Sequence, residues 1–180
     1  MERTKLNGTW KRFGGHWKNK ETEKSKMTTE IRPIENAEEK RRICRAILEA
    51  LPEWFGIPQA LGEYVSGSAD KLFFAAMDGE NPVGFLYLKE TGRDTVELYV
   101  MGVLKARHRT GAGRALVEAA KRAAREAGYA FMQVKTVQMG KYAEYDATNR
   151  FYLAMGFKEF EVFPHLWDEW NPCQIYVMGL

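Results

Sequence analysis

The stretch VMGVLKARHRTGAGRALVEAAKRAAREAG, residues 100–128, constrains the fold most tightly. An apolar, extended-looking run passes through a basic loop and two glycines one residue apart, Gly111 and Gly113, into an alanine-rich segment. That segment predicts a helix over 111–127 with the apolar stripe Leu116, Ala119, Ala120, Ala123 and Ala127. Lys121, Arg122 and Arg125 face outward, and Gly128 ends the helix. A helix mouth presents unsatisfied N–H groups and a partial positive charge, and glycine lets a ligand approach bare backbone. With His108, Arg109 and Arg114 around it, this strand–loop–helix junction predicts an anion site.

The flanking sequence alternates strand and helix patterns. TTEIRPIE reads as a strand. Asn36 with Glu39 three residues on marks a helix start, and Ile43, Ile47 and Leu51 give a helix over 37–50. PEWFGIPQALGEYVSGSA holds a second short helix. KLFFAAMD, the turn GENP and VGFLYLKE read as a hairpin, followed by the strand TVELYVMGVLK. Beyond the long helix come the strand YAFMQVKTV and the helix DATNRFYLAMG. The strands FKEFEVF and CQIYVMGL close the chain, joined by the loop PHLWDEWNP. The order β, α, α, β, β, β, α, β, α, β, β predicts an α/β (α+β) fold, a mixed sheet with helices on its faces.

At 180 residues, 45% of them hydrophobic, the chain suits one globular domain. No apolar run approaches a membrane span, so no membrane partner is expected. Two cysteines, Cys44 and Cys173, exclude a disulfide scaffold and suit a reducing cytoplasm. His16, His108 and His165 show no metal-ligand spacing, and no metal is expected. The net charge of +3 is uneven. Residues 1–27 hold eight Lys/Arg against three Glu, and the rest holds 19 basic against 21 acidic residues. The body therefore gives no nucleic-acid signal. Residues 1–27 read as a basic, disordered extension, or as the product of an upstream start with Met27 as the native one. The alternative is an RNA- or anion-gripping arm using Trp10, Phe13 and Trp17. The domain is expected over 28–180.

Two phosphate loops are excluded. A Walker loop ends in Gly-Lys-Ser/Thr, whereas Arg114 and Ala115 follow Gly113. A dinucleotide fingerprint places a third glycine or alanine where Leu116 stands. The ordered pair VMGVLKARHRTGAGRALVEAA and YDATNRFYLAMGF instead resembles the two markers of the GNAT superfamily of N-acetyltransferases. One is a strand, a basic loop, Gln/Arg-x-x-Gly-x-Gly/Ala and a helix. The other is a helix with Tyr152 four residues before Gly156-Phe157. The likeness covers about 28–180, and LWDEWNPCQIYVM resembles a subset of small bacterial members.

That resemblance implies a mostly antiparallel sheet with a V-shaped opening between the strand ending near Val103 and FMQVKTV. Acetyl-CoA is expected there as cosubstrate. Its pyrophosphate would meet residues 109–114 (Arg109, Thr110, Gly111, Ala112, Gly113, Arg114), and its pantetheine arm would run along Met101–Val103, with a bulge at Gly102. Two positions depart from the pattern: His108 replaces the usual Gln/Arg and can still donate a hydrogen bond to the pyrophosphate, and Tyr145 stands where a frequent Asn contacts the pantetheine arm. The implied activity is acetyl transfer to a small-molecule or peptide amine by a monomer or homodimer. The competing class is a non-catalytic acyl-CoA-binding or partner-docking module.

Tyr152 is the expected acid for the leaving thiolate. Glu97 is the expected base, because alternation in TVELYVMGV sets Thr95, Glu97, Tyr99 and Met101 opposite Val96, Leu98 and Val100. Asp168 and Glu169 are alternatives, as base or as partners for a cationic acceptor. Trp54, Phe55, Trp167 and Trp170 are candidates for the acceptor wall, with core packing the equal alternative. Cys44 reads as packing, and no Cys–His arrangement supports Cys173 as nucleophile. Deleting residues 1–26 is expected to leave the melting temperature and acetyl-CoA affinity nearly unchanged, since no periodic apolar pattern ties them to the core. A large drop in melting temperature would contradict this.

Overall fold

The Asn36 side chain accepts the Glu39 N–H at 2.9 Å, so the first helix starts where the sequence places it. The computed structural model describes residues 29–180, and the expectations for residues 1–27 lie outside the described residues. The elements are β1 (Glu30–Ile34), α1 (Ala37–Glu49), α2 (Pro52–Phe55), α3 (Pro58–Gly67), β2 (Leu72–Asp78), β3 (Asn81–Gly92) and β4 (Thr95–Val103). They continue with α4 (Ala112–Glu126), β5 (Phe131–Val137), α5 (Ala143–Ala154), β6 (Lys158–Phe163) and β7 (Cys173–Gly179). The segment after α1 thus forms two short helices instead of one, each opening on a proline.

The strands form one sheet in the order β1-β2-β3-β4-β5-β7-β6. Every pairing is antiparallel except β4 with β5, which α4 connects as a crossover. That parallel pairing runs only from Thr95↔Phe131 to Leu98↔Val134. Beyond it β4 continues to Val103 along β3, while β5 continues to Val137 along β7. The two strands part, and the expected opening lies between them.

A bulge sits at the fork. Leu88 faces Leu98 and Tyr87 faces Val100, which leaves Tyr99 unopposed. The extra residue reverses the alternation. Val96 and Leu98 join the core under α4, whereas Val100 joins the core under α1 and α3. The expectation that Val100 shares a face with Val96 and Leu98 is therefore corrected, and so is a bulge at Gly102. Gly102 is small for another reason: a Cβ there would lie 2.9 Å from Ile47 Cγ2 and 3.2 Å from Leu51 Cδ1.

Helix α4 buries Ala112, Leu116, Val117, Ala119, Ala120 and Ala124 against the sheet. Val117 and Ala124 replace the expected Ala127, which is the exposed cap; Gly128 follows it at φ 86°. Helix α5 begins three residues earlier than its pattern suggests and carries little amphipathic signal. Asn149 holds it instead. This fully buried amide donates from Nδ2 to the Val137 carbonyl at 2.9 Å and to the Tyr145 carbonyl at 2.7 Å. Its Oδ1 accepts the Tyr176 hydroxyl at 2.7 Å. Asn149→Ala strands the Val137 carbonyl and the Tyr176 hydroxyl and is expected to lower the unfolding free energy by about 3 kcal/mol. Denaturant titration measures this, and wild-type stability would refute the anchoring role.

Candidate active site

The mouth of α4 has the features an anion site needs. Gly111 caps the helix at φ 95° and offers no side-chain cap, and no acidic residue stands in the first turn. The first intrahelical bond runs from the Ala115 N–H to the Gly111 carbonyl, so the N–H groups of Ala112, Gly113 and Arg114 have no partner in the helix. Arg109, at φ 60°, and Gly111 are left-handed, and such turns aim successive N–H groups into one concavity. Arg109 and Arg114 are exposed, and neither joins the ion pairs of the described residues. The neighbouring cations are engaged: Arg107 pairs with Asp78, and Lys105 with Glu53. Thr110 turns its hydroxyl back to the Arg107 carbonyl at 2.8 Å.

The two glycines have different causes. Open space surrounds Gly111, which is glycine because of its φ. At Gly113 a Cβ would meet Met101 Cε at 3.2 Å and the Phe151 ring at 3.3 Å, so this glycine lets α4 start close against β4 and α5.

The free edge of β4 is partly occupied. The Leu104 N–H donates to the Val83 carbonyl, so by alternation Gly102 also points its backbone at β3, while Met101 and Val103 point theirs into the opening. His108 Nε2 donates to the Val103 carbonyl at 2.8 Å, which places a ring proton on Nε2. Two residues expected to touch the cosubstrate thus touch each other, and the Met101 backbone groups and the Val103 N–H remain.

Helix α2 spans the two sides. The Trp54 indole N–H donates to Thr148 Oγ1 at 3.2 Å, and the Trp54 carbonyl accepts the Tyr145 hydroxyl at 3.1 Å. The Trp54 ring stands edge-on to His108 at 6.2 Å. Tyr145 therefore ties α5 to α2, and burial pushes its phenol up to about 12. Phe55 meets Tyr64, and Tyr64 meets Tyr99, both edge-to-face at about 6 Å, forming an aromatic wall on the α1–α3 side.

The Tyr152 ring is buried beside Phe151, Phe157 and Tyr176. Its hydroxyl has no hydrogen-bond partner among the described residues. Burial, with a smaller contribution from Tyr145, holds the phenol well above the usual tyrosine range, so it remains a donor at neutral pH.

Glu97 is 3% exposed, and its Oε2 accepts Lys135 Nζ at 2.5 Å and Gln133 Nε2 at 3.2 Å. Cys173 is buried nearby, and its thiol is pushed up to about 11 by burial, with Lys135 lowering it and Glu97 raising it. It stays a thiol near neutral pH and is no nucleophile there. Cys44 is likewise buried and pushed up to about 12. The late loop stands apart: Trp167 and Trp170 are exposed, so core packing does not explain them. Asp168 accepts the Trp170 and Asn171 N–H groups and the Asn171 amide, which shapes its own loop, and Glu169 is exposed.

Lys135, Gln133, Tyr64 and Thr148 were not singled out from the sequence. The first two sit two apart in FMQVKTV, a polar alternation that gains meaning only once β5 is registered beside Glu97. Among the described residues there is no cluster of three or more His, Cys, Asp or Glu that could hold a metal ion, and no helix long and apolar enough to cross a membrane.

Residues 69–159, about half the chain, match the family model for the acetyltransferase (GNAT) domain. The chain belongs to the GNAT acetyltransferase family, as its motifs suggested. No curated protein matches the sequence. A GNAT-family protein from Desulfovibrio desulfuricans superposes with a TM-score of 0.72 at 20% identity, covering 84% of this chain and 99% of that one. The ribosomal-protein-S18-alanine N-acetyltransferase from Escherichia coli gives 0.66 at 17%, covering 84% and 94%. An aminoglycoside 6'-N-acetyltransferase complexed with coenzyme A gives 0.67 at 17%, covering 83% and 96%. At such identities the likeness shows the fold.

Gly111→Asp adds a side chain at positive φ and a negative charge at the mouth of α4. It is expected to abolish acetyl-CoA binding in calorimetry while the protein stays folded. Unchanged affinity would refute the anion site.

Proposed function

We propose that this single domain, residues 28–180, moves an acetyl group from acetyl-CoA to a primary amine by direct attack in a ternary complex. The observation that carries the reading is the uncapped, acid-free mouth of α4 beside a β4–β5 fork that carries Glu97. The residues present fit the cosubstrate. The N–H groups of Ala112 to Arg114, with Arg109 and Arg114, would hold its pyrophosphate. The edge of Met101 and Val103 would hold its pantetheine arm. Acetyl-CoA, when bound, supplies the acetyl thioester.

An alkylammonium with a pKa of about 10 must lose a proton before its nitrogen can attack. Glu97 suits that task, directly or through a water, because Oε1 makes no bond to the described residues while Oε2 is held. As the N–C bond forms and the C–S bond breaks, the second amine proton is released and the sulfur is left as thiolate. The Tyr152 hydroxyl donates toward that sulfur. Phe55, Tyr64 and Tyr99 supply an apolar wall for the acceptor body. The relatives' names include a ribosomal-protein alanine and aminoglycosides as acceptors, so a small-molecule or peptide amine fits equally.

One observation favours the alternative, an acyl-CoA-binding module without turnover: His108 and Tyr145 direct their polar groups inward, to Val103 and Trp54. Thiol release from acetyl-CoA in the presence of tyramine, spermidine, kanamycin or a peptide with a free N-terminal alanine separates the two. Amine-dependent release with at least one is expected. Tight desulfo-CoA binding with no release would favour the module.

Tyr152→Phe keeps the ring packing and removes the donor. It is expected to lower kcat by about 10²-fold with little change in acetyl-CoA affinity. Wild-type kcat with chemistry rate-limiting would make Tyr152 a packing residue.

A further inference from the structure

The carboxylate at the fork is held from one side only. The parallel register sets Glu97 opposite Gln133, and Lys135 lies two residues on, on the same face, just past the last pair Leu98↔Val134. Lys135 reaches back across the parting strands to Glu97 Oε2 at 2.5 Å, and Gln133 adds its amide at 3.2 Å. Oε1 makes no hydrogen bond to the described residues and is not wholly sealed from solvent. The Glu97 side chain is 4% exposed and that of Lys135 25%. The other groups facing this carboxylate are accounted for. Lys89, its register partner on β3, stacks its ammonium 4.3 Å over the Tyr99 ring. Tyr64 of α3 is neutral, its phenol raised by burial and then by Tyr99, Glu63 and Glu97; Cys173 of β7 is a thiol.

We propose that Lys135 is a positioning residue of the acceptor site: it pins Oε2, supplies the counter-charge to the buried Glu97 carboxylate, and so aims Oε1 at the incoming ammonium. A buried carboxylate without a counter-charge gives up its charge. Lys135 is the counter-charge that this nearly closed site provides. Once an ammonium proton reaches Oε1, the pair carries a net positive charge, which favours passing the proton on to solvent. The inference rests on Glu97 as proton acceptor.

The test compares wild type, Lys135→Met, Lys135→Gln, Lys135→Arg and Glu97→Gln, using the amine of the panel above that gives the greatest thiol release. Each variant is read by its pH profile of kcat/KM and by the ¹³C carboxyl resonance of Glu97, assigned by its loss in Glu97→Gln. Removing the positive charge makes the carboxylate protonate at higher pH, so the base form is lost earlier as pH falls. In Lys135→Met and Lys135→Gln the acid limb and the resonance are expected to move up together by about one pH unit or more. Lys135→Arg should restore both to within about 0.3 pH unit, since it returns the charge. A resonance that moves while the limb stays put would overturn the proposal and leave the pair a structural ion pair, as would unfolding of both neutral variants. Wild-type turnover in Glu97→Gln would instead overturn the role of Glu97 itself. Absence of turnover with every panel amine would defeat the proposed function and this inference with it.

Discussion

Everything at the site depends on a parallel pairing that stops after four residues. While β4 and β5 remain paired, to Leu98 and Val134, their edges satisfy each other. Past that point β4 keeps only β3 and β5 keeps only β7, and one edge of each strand is released into the opening. The unopposed Tyr99 sits at that point and adds twist where the strands must separate. Met101 and Val103 can offer backbone groups to a ligand only because β5 has already turned away.

The charges around the fork are sorted by the same geometry. Cations that would compete for an anion are engaged with carboxylates, Arg107 with Asp78 and Lys105 with Glu53, which leaves Arg109 and Arg114 beside the bare mouth of α4. On the other side one buried carboxylate is neutralised by one lysine, with a single oxygen left over. The first arrangement suits holding a phosphate. The second suits moving a proton.

Local signals made most of the fold legible. Asn36 caps its helix, Gly128 ends α4, and two motifs in order indicate the GNAT family. What stayed hidden was non-local. A bulge at Tyr99 has no mark in TVELYVMGV, because it arises from the count of residues on β3 opposite. Strict alternation therefore puts Val100 on the wrong face, and the smallness of Gly102 serves Ile47 and Leu51, not a bulge. Glu97 stood out as a charge in an apolar strand. Its partner did not, because Lys135 lies 38 residues away and meets it only through the parallel register. His108 and Tyr145 were visible as departures from a family pattern, but their hydrogen bonds to Val103 and Trp54 depend on a loop and on α2.

The central claim is that the released edge of β4 and the uncapped mouth of α4 together hold acetyl-CoA. Hydrogen–deuterium exchange with and without saturating acetyl-CoA tests it most directly, because the groups in question are backbone N–H groups. Protection is expected at Met101, Val103 and residues 110–114, and little change is expected in β1, β2 and α3. Protection confined to other segments, or none at saturation, would contradict the assignment of this fork as the cosubstrate site.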